Sequence, residues 1–278
     1  MFGIILQGIA SFFGEISGSL EKWMVAKRVE SFYAVGFQNS LVALAFFLVF
    51  AFSYGGSFRL HPDSFPTLAL LIALSIAQAY ATMKGTAVAS RSTFNFIRIG
   101  TLPLLLILDL LAGYAINPWQ IAGIIVVMCA LFFLFMNHGI EKKGAGLVAF
   151  TAINAAITLS IYKWHVTVWN SVAAEQLVLI GSQMAYFLVC SVFIAKENPF
   201  RLLNRRLPFL QSASYATDSF IGSFAYLFAP ASVILAATRS FAVLWGILFG
   251  NKVFHEKKLE LKIITFVAVA VGIIMMAF

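Results

Sequence analysis

Charge is what this chain has least of. Of its 278 residues only 11% are Asp, Glu, Lys or Arg, against 61% hydrophobic and 15% aromatic. A soluble domain of this length needs a polar surface and carries about a quarter charged residues, so that class is excluded. Cysteine is almost missing as well. Cys129 and Cys190 both sit in apolar runs at no ligand spacing, which excludes a disulfide framework and a zinc site. No GxxxxGK[ST] loop, no HExxH and no GxSxG occurs anywhere. Nucleotide-driven pumping, metallopeptidase chemistry and esterase chemistry therefore have no sequence support, and neither a cofactor nor an enzymatic activity is expected. The first apolar run has no basic n-region and carries Glu15, Glu21 and Lys22, unlike a cleaved signal peptide.

Long hydrophobic runs fill what remains. A helix crossing about 30 Å of hydrocarbon needs ~20 apolar residues. Runs bounded by charged, Gly or Pro residues place ten such helices near 3–25, 33–54, 66–84, 92–112, 119–137, 145–167, 175–195, 208–228, 231–251 and 260–278. The fold class expected is an all-α integral membrane protein with ten transmembrane helices. Pro66, Pro118, Pro208 and Pro230 fall at helix starts, where a missing N–H costs little. Pro103 falls inside the fourth span and should kink it or free a backbone carbonyl.

The nineteen basic residues test this layout. Fourteen lie in odd-numbered connections and only Arg59 in an even-numbered one. Such asymmetry is a positive-inside signal. It places the odd connections in the cytoplasm and both termini outside, in a multi-pass cell-membrane protein. The net charge of +8 thus reports topology and calls for no nucleic-acid partner.

The other four basic residues lie within spans, and they repeat. Lys22-Trp23 recurs as Lys163-Trp164 and Arg98 as Arg239, all at an offset of 141. Ile16, Ser19 and Val25 recur at the same offset as Ile157, Ser160 and Val166. The chain therefore divides into 1–140 and 141–278, two five-helix repeats. An odd number of crossings per repeat makes them inverted, a pattern typical of secondary transporters. Arg98 and Arg239 enter from opposite faces by about six to eight residues, or ~10–12 Å at the helical rise, so both approach the midplane. Charges at that depth are functional candidates by default.

Three stretches carry a resemblance to a known family. They are Gly8 to Lys22 (GIASFFGEISGSLEK), Pro230 to Phe254 (PASVILAATRSFAVLWGILFGNKVF) with the last span, and Ala89 to Tyr114 with Pro118-Trp119-Gln120. In these, and in its ten-helix organisation, the chain resembles the drug/metabolite transporter superfamily, its EamA-type branch in particular. It departs at Phe13-Gly14, where members often carry Trp-Gly, and at Gly250-Asn251, where they often carry Gly-Glu. The first span also resembles the short four-helix multidrug exporters, with a membrane-embedded glutamate and a following lysine. The resemblance implies that Glu15 alternately binds a proton or a cationic substrate. At Glu15's offset position the second half has Ala156, so the site is asymmetric.

Each candidate has a plainer rival role. Glu15 binds or couples, or pairs structurally with Lys22 or Arg98. Arg98 and Arg239 bind an anionic group through their planar forks, or pair with Glu15 and Asp218. Lys22 and Lys163 gate the two mouths, or snorkel as Lys-Trp anchors. Asp218, mid-span beside Thr217 and Ser219, is a second coupling candidate. Gln78, Tyr80 and Asn95 line the cavity or serve as interhelical glue. Asp109 reads as interfacial, and His165 as a weak pH-sensing candidate. The expectation is a secondary active transporter, a proton-coupled exporter or exchanger working by alternating access around a midplane site. Its partners are the lipid bilayer and a small solute, and it works as monomer or homodimer. The resemblance implies a small polar or amphipathic metabolite such as an amino acid. An exchanger of anionic or phosphorylated solutes, and a channel or structural membrane protein, are the alternatives.

Overall fold

The computed structural model describes residues 1–26, 31–53, 58–89, 94, 97–136, 143–254 and 259–277. Among these residues there is no strand, and ten α-helices run in chain order. They are α1 (Phe2–Ala26), α2 (Phe32–Ser53), α3 (Phe65–Val88), α4 (Thr101–Leu111), α5 (Pro118–Met136), α6 (Ala145–Val168), α7 (Val172–Val189), α8 (Arg206–Ala225), α9 (Ala231–Phe254) and α10 (Leu259–Ala277). A π-turn over Cys190–Ile194 extends α7, and Lys196 in the left-handed region (φ 55°) follows it. The fold is all-α.

Helix ends follow the sequence punctuation closely, with one exception. Within the described residues the fourth span is interrupted at Gly100, where an internal proline should kink a helix or free a carbonyl. Residues 97–99 are helical, Gly100 turns, and α4 restarts at Thr101. Pro103 accounts for this. Its ring clashes with the carbonyl four residues back and it lacks the N–H that would bond there. Arg98 therefore sits just before a break.

Packing joins the two halves along antiparallel seams. On α1, Gly3 approaches the Ala225 carbonyl, Gly14 meets the Asp218 carboxyl, and Ser17 Oγ accepts from Gln211 Nε2 (3.0 Å), all on α8. On α6, Asn154 Nδ2 donates to Leu74 O and Gln78 Oε1 of α3, both at 2.9 Å. The partner of α1 is thus α8, and that of α6 is α3. Exchanging each helix for the one five places on maps the first seam onto the second. The same exchange maps α1–α9 onto α6–α4 and α2–α8 onto α7–α3, while α2–α7, α4–α9 and α5–α10 map onto themselves. Helix caps repeat it too. Ser31 and Ser171 each accept from the N–H three residues on (both 3.3 Å), starting α2 and α7. Each also donates its own N–H to the other half: Ser31 to Glu197 Oε2 (3.2 Å), Ser171 to Arg59 O (2.8 Å).

Among the described residues, five stretches are long and apolar enough to cross a membrane: Phe2–Glu21, Phe32–Ser53, Pro62–Gly85, Ala145–Val168 and Val172–Ile194. Pro118–Phe133, Ala231–Ala242 and Val267–Met276 are apolar but shorter. Exposed Phe52, Leu111 and Phe193 suit an apolar surrounding. Helices α4 and α8 meet neither description. Helix α8 is rich in Ser and carries Asp218, and it can be so because α1 and α2 cover it.

Candidate functional site

The α1–α8 seam is one of the polar places in the core. On α1, Gln7, Ser11 and Ser17 are buried and share one face with Gly14, at the three-to-four-residue spacing of a helix. On α8, Gln211, Tyr215, Asp218 and Gly222 share the facing side. Glycine at position 14 makes room: a Cβ there would stand 2.9 Å from Asp218 Oδ2. Glu15, half-buried on the next position of α1, is engaged by another group and is not a free carboxylate. Tyr215 lies within electrostatic reach of both Asp218 and Glu21. Glu21 and Tyr215 were not among the sequence candidates. The spacing of Gln7, Ser11, Gly14 and Ser17 along one face, continued by a turn, was the signal that could have pointed to Glu21; nothing in the sequence marks Tyr215.

Arg98 and Arg239 share a neighbourhood. Arg239 is within electrostatic reach of Arg98, and α4, which follows Arg98, packs on α9, which carries Arg239. Both side chains are half-buried, and both Nε atoms are buried with no hydrogen bond among the described residues. Neither guanidinium has a carboxylate within ion-pair distance among those residues. The pairing with Glu15 and Asp218 weighed from the sequence is therefore not seen there. Arg98 stacks over Phe94, 5.1 Å from its centroid, and Tyr226 lies within electrostatic reach of Arg239. Tyr226 in turn senses Asp218. Two arginines, a buried phenol and an acid thus share one neighbourhood. Nearby, Trp245 Nε1 donates to Gly8 O (3.0 Å), fastening α9 to α1.

Lys163 does not snorkel. It is buried, donates to the Tyr226 carbonyl and lies 5.6 Å from the Tyr114 ring centroid. Asp109 is within its electrostatic reach. Asp109 itself is only 1% exposed and accepts from Ser232 N (2.7 Å) in the first turn of α9. Near the end of α4, Asp109 is thus held against the start of α9, where a carboxylate meets unpaired N–H groups and the helix dipole.

The remaining candidates divide. Gln78 bonds Asn154 and also donates to Thr151 O (3.2 Å), which is interhelical glue. Tyr80 OH accepts from Lys84 Nζ (2.8 Å), and its ring lies 6.3 Å from that of Phe32 on α2. Asn95 lies outside the described residues, as does the side chain of Lys22. A groove of about 370 Å³ lies at the α7–α8 connection, lined by Val192, Lys196 and Phe200 among others. None of the candidate residues lines it, so the chemistry rests on the paired arginines and the α1–α8 seam.

No protein-family model matches this chain, and no curated protein matches it. Among solved structures, one described simply as a crystal structure of a protein superposes with a TM-score of 0.73. That match covers 98% of this chain and 95% of the other, at 12% identity, and shows likeness of fold alone.

Proposed function

We propose that the protein is a secondary active transporter of a small solute carrying an acidic group, with Arg98 and Arg239 at the centre of its binding site. The observation that carries this is their shared neighbourhood. Matched at an offset of 141, they come from different halves and lie within electrostatic reach, with no carboxylate at ion-pair distance among the described residues. Two half-buried like charges repel, and an anionic group between them relieves that repulsion through forked hydrogen bonds. Asp218, seated on Gly14, is the coupling carboxyl and also suits the ammonium of an amino acid. The ten helices are read as ten spans in two inverted halves, at 1–140 and 141–278. The exchange pattern of the seams and the matched Ser31 and Ser171 caps support this. Odd connections then face the cytoplasm. The family proposed remains the EamA-type drug/metabolite transporters. Rocking of one half against the other around a fixed site is the mechanism of such folds.

An exchanger of anionic, phosphorylated solutes is the second reading, favoured by the paired like charges. Thermal stabilisation of the purified protein across a panel of amino acids, dicarboxylates and sugar phosphates separates the two. A ligand at ~100 Kd adds about 2.7 kcal/mol to the apparent stability. The expected result is a hit that Arg98→Ala and Arg239→Ala both abolish. A hit that survives both variants demotes the arginines to structure.

A further inference from the structure

Between α7 and α8 the chain collects charge of one sign. Lys196, Arg201, Arg205 and Arg206 fall within eleven residues and are all exposed, against a single acid, Glu197. That acid is engaged across the fold: its Oε2 accepts from Ser31 N (3.2 Å) at the start of α2. The connection as a whole is tied down. Pro199 and Leu202 are buried, Leu202 in a cluster with Met24, Ala34 and Val35. The Phe200 ring meets that of Phe37 on α2 edge-on at 5.1 Å. Asn198 Oδ1 accepts from Phe200 N (3.0 Å), which sets the turn that follows.

Lys196 is held in an unusual backbone. Ala195 N donates to Cys190 O and Glu197 N to Ser191 O, both at 3.0 Å, which fixes the left-handed φ of 55° between them. Gly or Asn is the residue that such a backbone favours. A long cation stands there instead, and it lines the groove of about 370 Å³ together with Val192, Glu197, Asn198, Pro199 and Phe200. Directly before it in the chain, Val192, Phe193 and Ile194 are exposed, and Phe193 is 75% so. Leu207, Phe209 and Leu210 at the start of α8 are exposed as well.

The apolar stretch Val172–Ile194, long enough to cross a membrane, ends two residues before Lys196. Read as a span, it brings the groove to the depth of the lipid headgroups. A soluble anion would satisfy the cations but leave the apolar residues beside them uncovered. A lipid with a negatively charged headgroup satisfies both, since cations hold its phosphate while apolar side chains meet its acyl chains. We propose that this groove binds an anionic phospholipid, with Lys196 and the adjoining Arg201 on the phosphate and Val192, Phe193 and Ile194 against the chains. Arg205 and Arg206 add to the positive field around it. The inference rests on α7 and α8 being spans and is independent of the transport reading, since its test needs no transported solute.

The experiment titrates the full chain, purified in detergent, with fluorescently tagged phosphatidylglycerol and, separately, with phosphatidylcholine carrying the same tag. One basic side chain near a headgroup strengthens binding of an anionic lipid about fivefold. Expected is a preference for phosphatidylglycerol of about tenfold or more in wild type. Lys196→Asn combined with Arg201→Gln should abolish it, asparagine being chosen because it tolerates the left-handed backbone. Arg59→Gln combined with Lys143→Gln removes the same charge from exposed sites in other connections and should leave the preference intact. Equal affinity of wild type for the two lipids overturns the proposal, and so does a preference that survives Lys196→Asn with Arg201→Gln. A loss matched by the control pair overturns it too, because net charge would then explain the binding. Displacement of tagged phosphatidylglycerol by excess inorganic phosphate would assign the groove to a soluble anion and overturn the lipid. If the double variant does not fold, Lys196→Asn alone decides: about fivefold weaker binding is expected, and unchanged binding overturns the site.

Discussion

At Gly14 a single hydrogen in place of a methyl group sets the position of Asp218. A Cβ there would press on the carboxyl end of a side chain rather than on backbone, so the neighbour can give way. Gly14→Ala should therefore cost no more than about 1–3 kcal/mol while displacing the acid. Asp218→Asn keeps the shape and removes the ionisable group. Under the transport reading, Asp218→Asn should cut proton-driven accumulation by about tenfold or more while substrate counterflow persists. Transport in proteoliposomes with and without an imposed pH gradient reads the two apart, and equal loss of both would remove Asp218 from coupling. Asp218, Arg98 and Arg239 were legible in the sequence because a charge inside an apolar run stands out. Tyr215 and Tyr226 were not, because in a chain with so many aromatic residues a phenol carries no mark until its neighbours are known.

Two helices, α5 and α10, lie so close that glycine is required on both. A Cβ on Gly123 would sit 2.7 Å from the Gly272 carbonyl, and one on Gly272 would sit 2.6 Å from Val127 Cγ2 and 3.0 Å from the Gly123 carbonyl. Backbone cannot swing aside as a side-chain end can, so here the helices must separate. Gly123→Ala and Gly272→Ala should each destabilise by about 1–3 kcal/mol, seen as a Tm drop of several degrees. The double variant should lose less than the sum, because the first substitution already opens the seam. Unchanged melting of both would mean that the seam is not a tight contact. Helix ends at this scale were readable from Pro, Gly and charge. An interruption of the fourth span was readable from Pro103, but not its place at Gly100, because a proline inside an apolar run is compatible with either a kink or a restart. His165 and Glu175 were hidden for another reason. Each looked like a residue at a helix end, and only the fold of α6 against α7 and α3 brings them together.

Over the whole molecule, the reading of the odd connections as cytoplasmic makes a definite claim about sidedness. Arg59 and Lys143 are both exposed and lie in even and odd connections respectively. With Cys129 and Cys190 replaced, Arg59→Cys should react with an impermeant thiol reagent from outside intact cells, and Lys143→Cys only after permeabilisation. The reverse result would invert the topology. The repeat behind that claim was visible at only a handful of sequence positions, since two halves can keep the same packing while nearly all side chains diverge. The polarity of α8 bears on how such a chain would be made. An aspartate at a helix centre opposes insertion into lipid by about 2.5–3.5 kcal/mol, and α8 adds several serines to that burden. Released alone from the translocon, it would resist entering the bilayer. Its partners α1 and α2 are synthesised long before it, so the cleft that receives Asp218 can be waiting when α8 emerges. Biogenesis would then run by templating: α1 and α2 insert on their own hydrophobicity, and α8 is admitted by them.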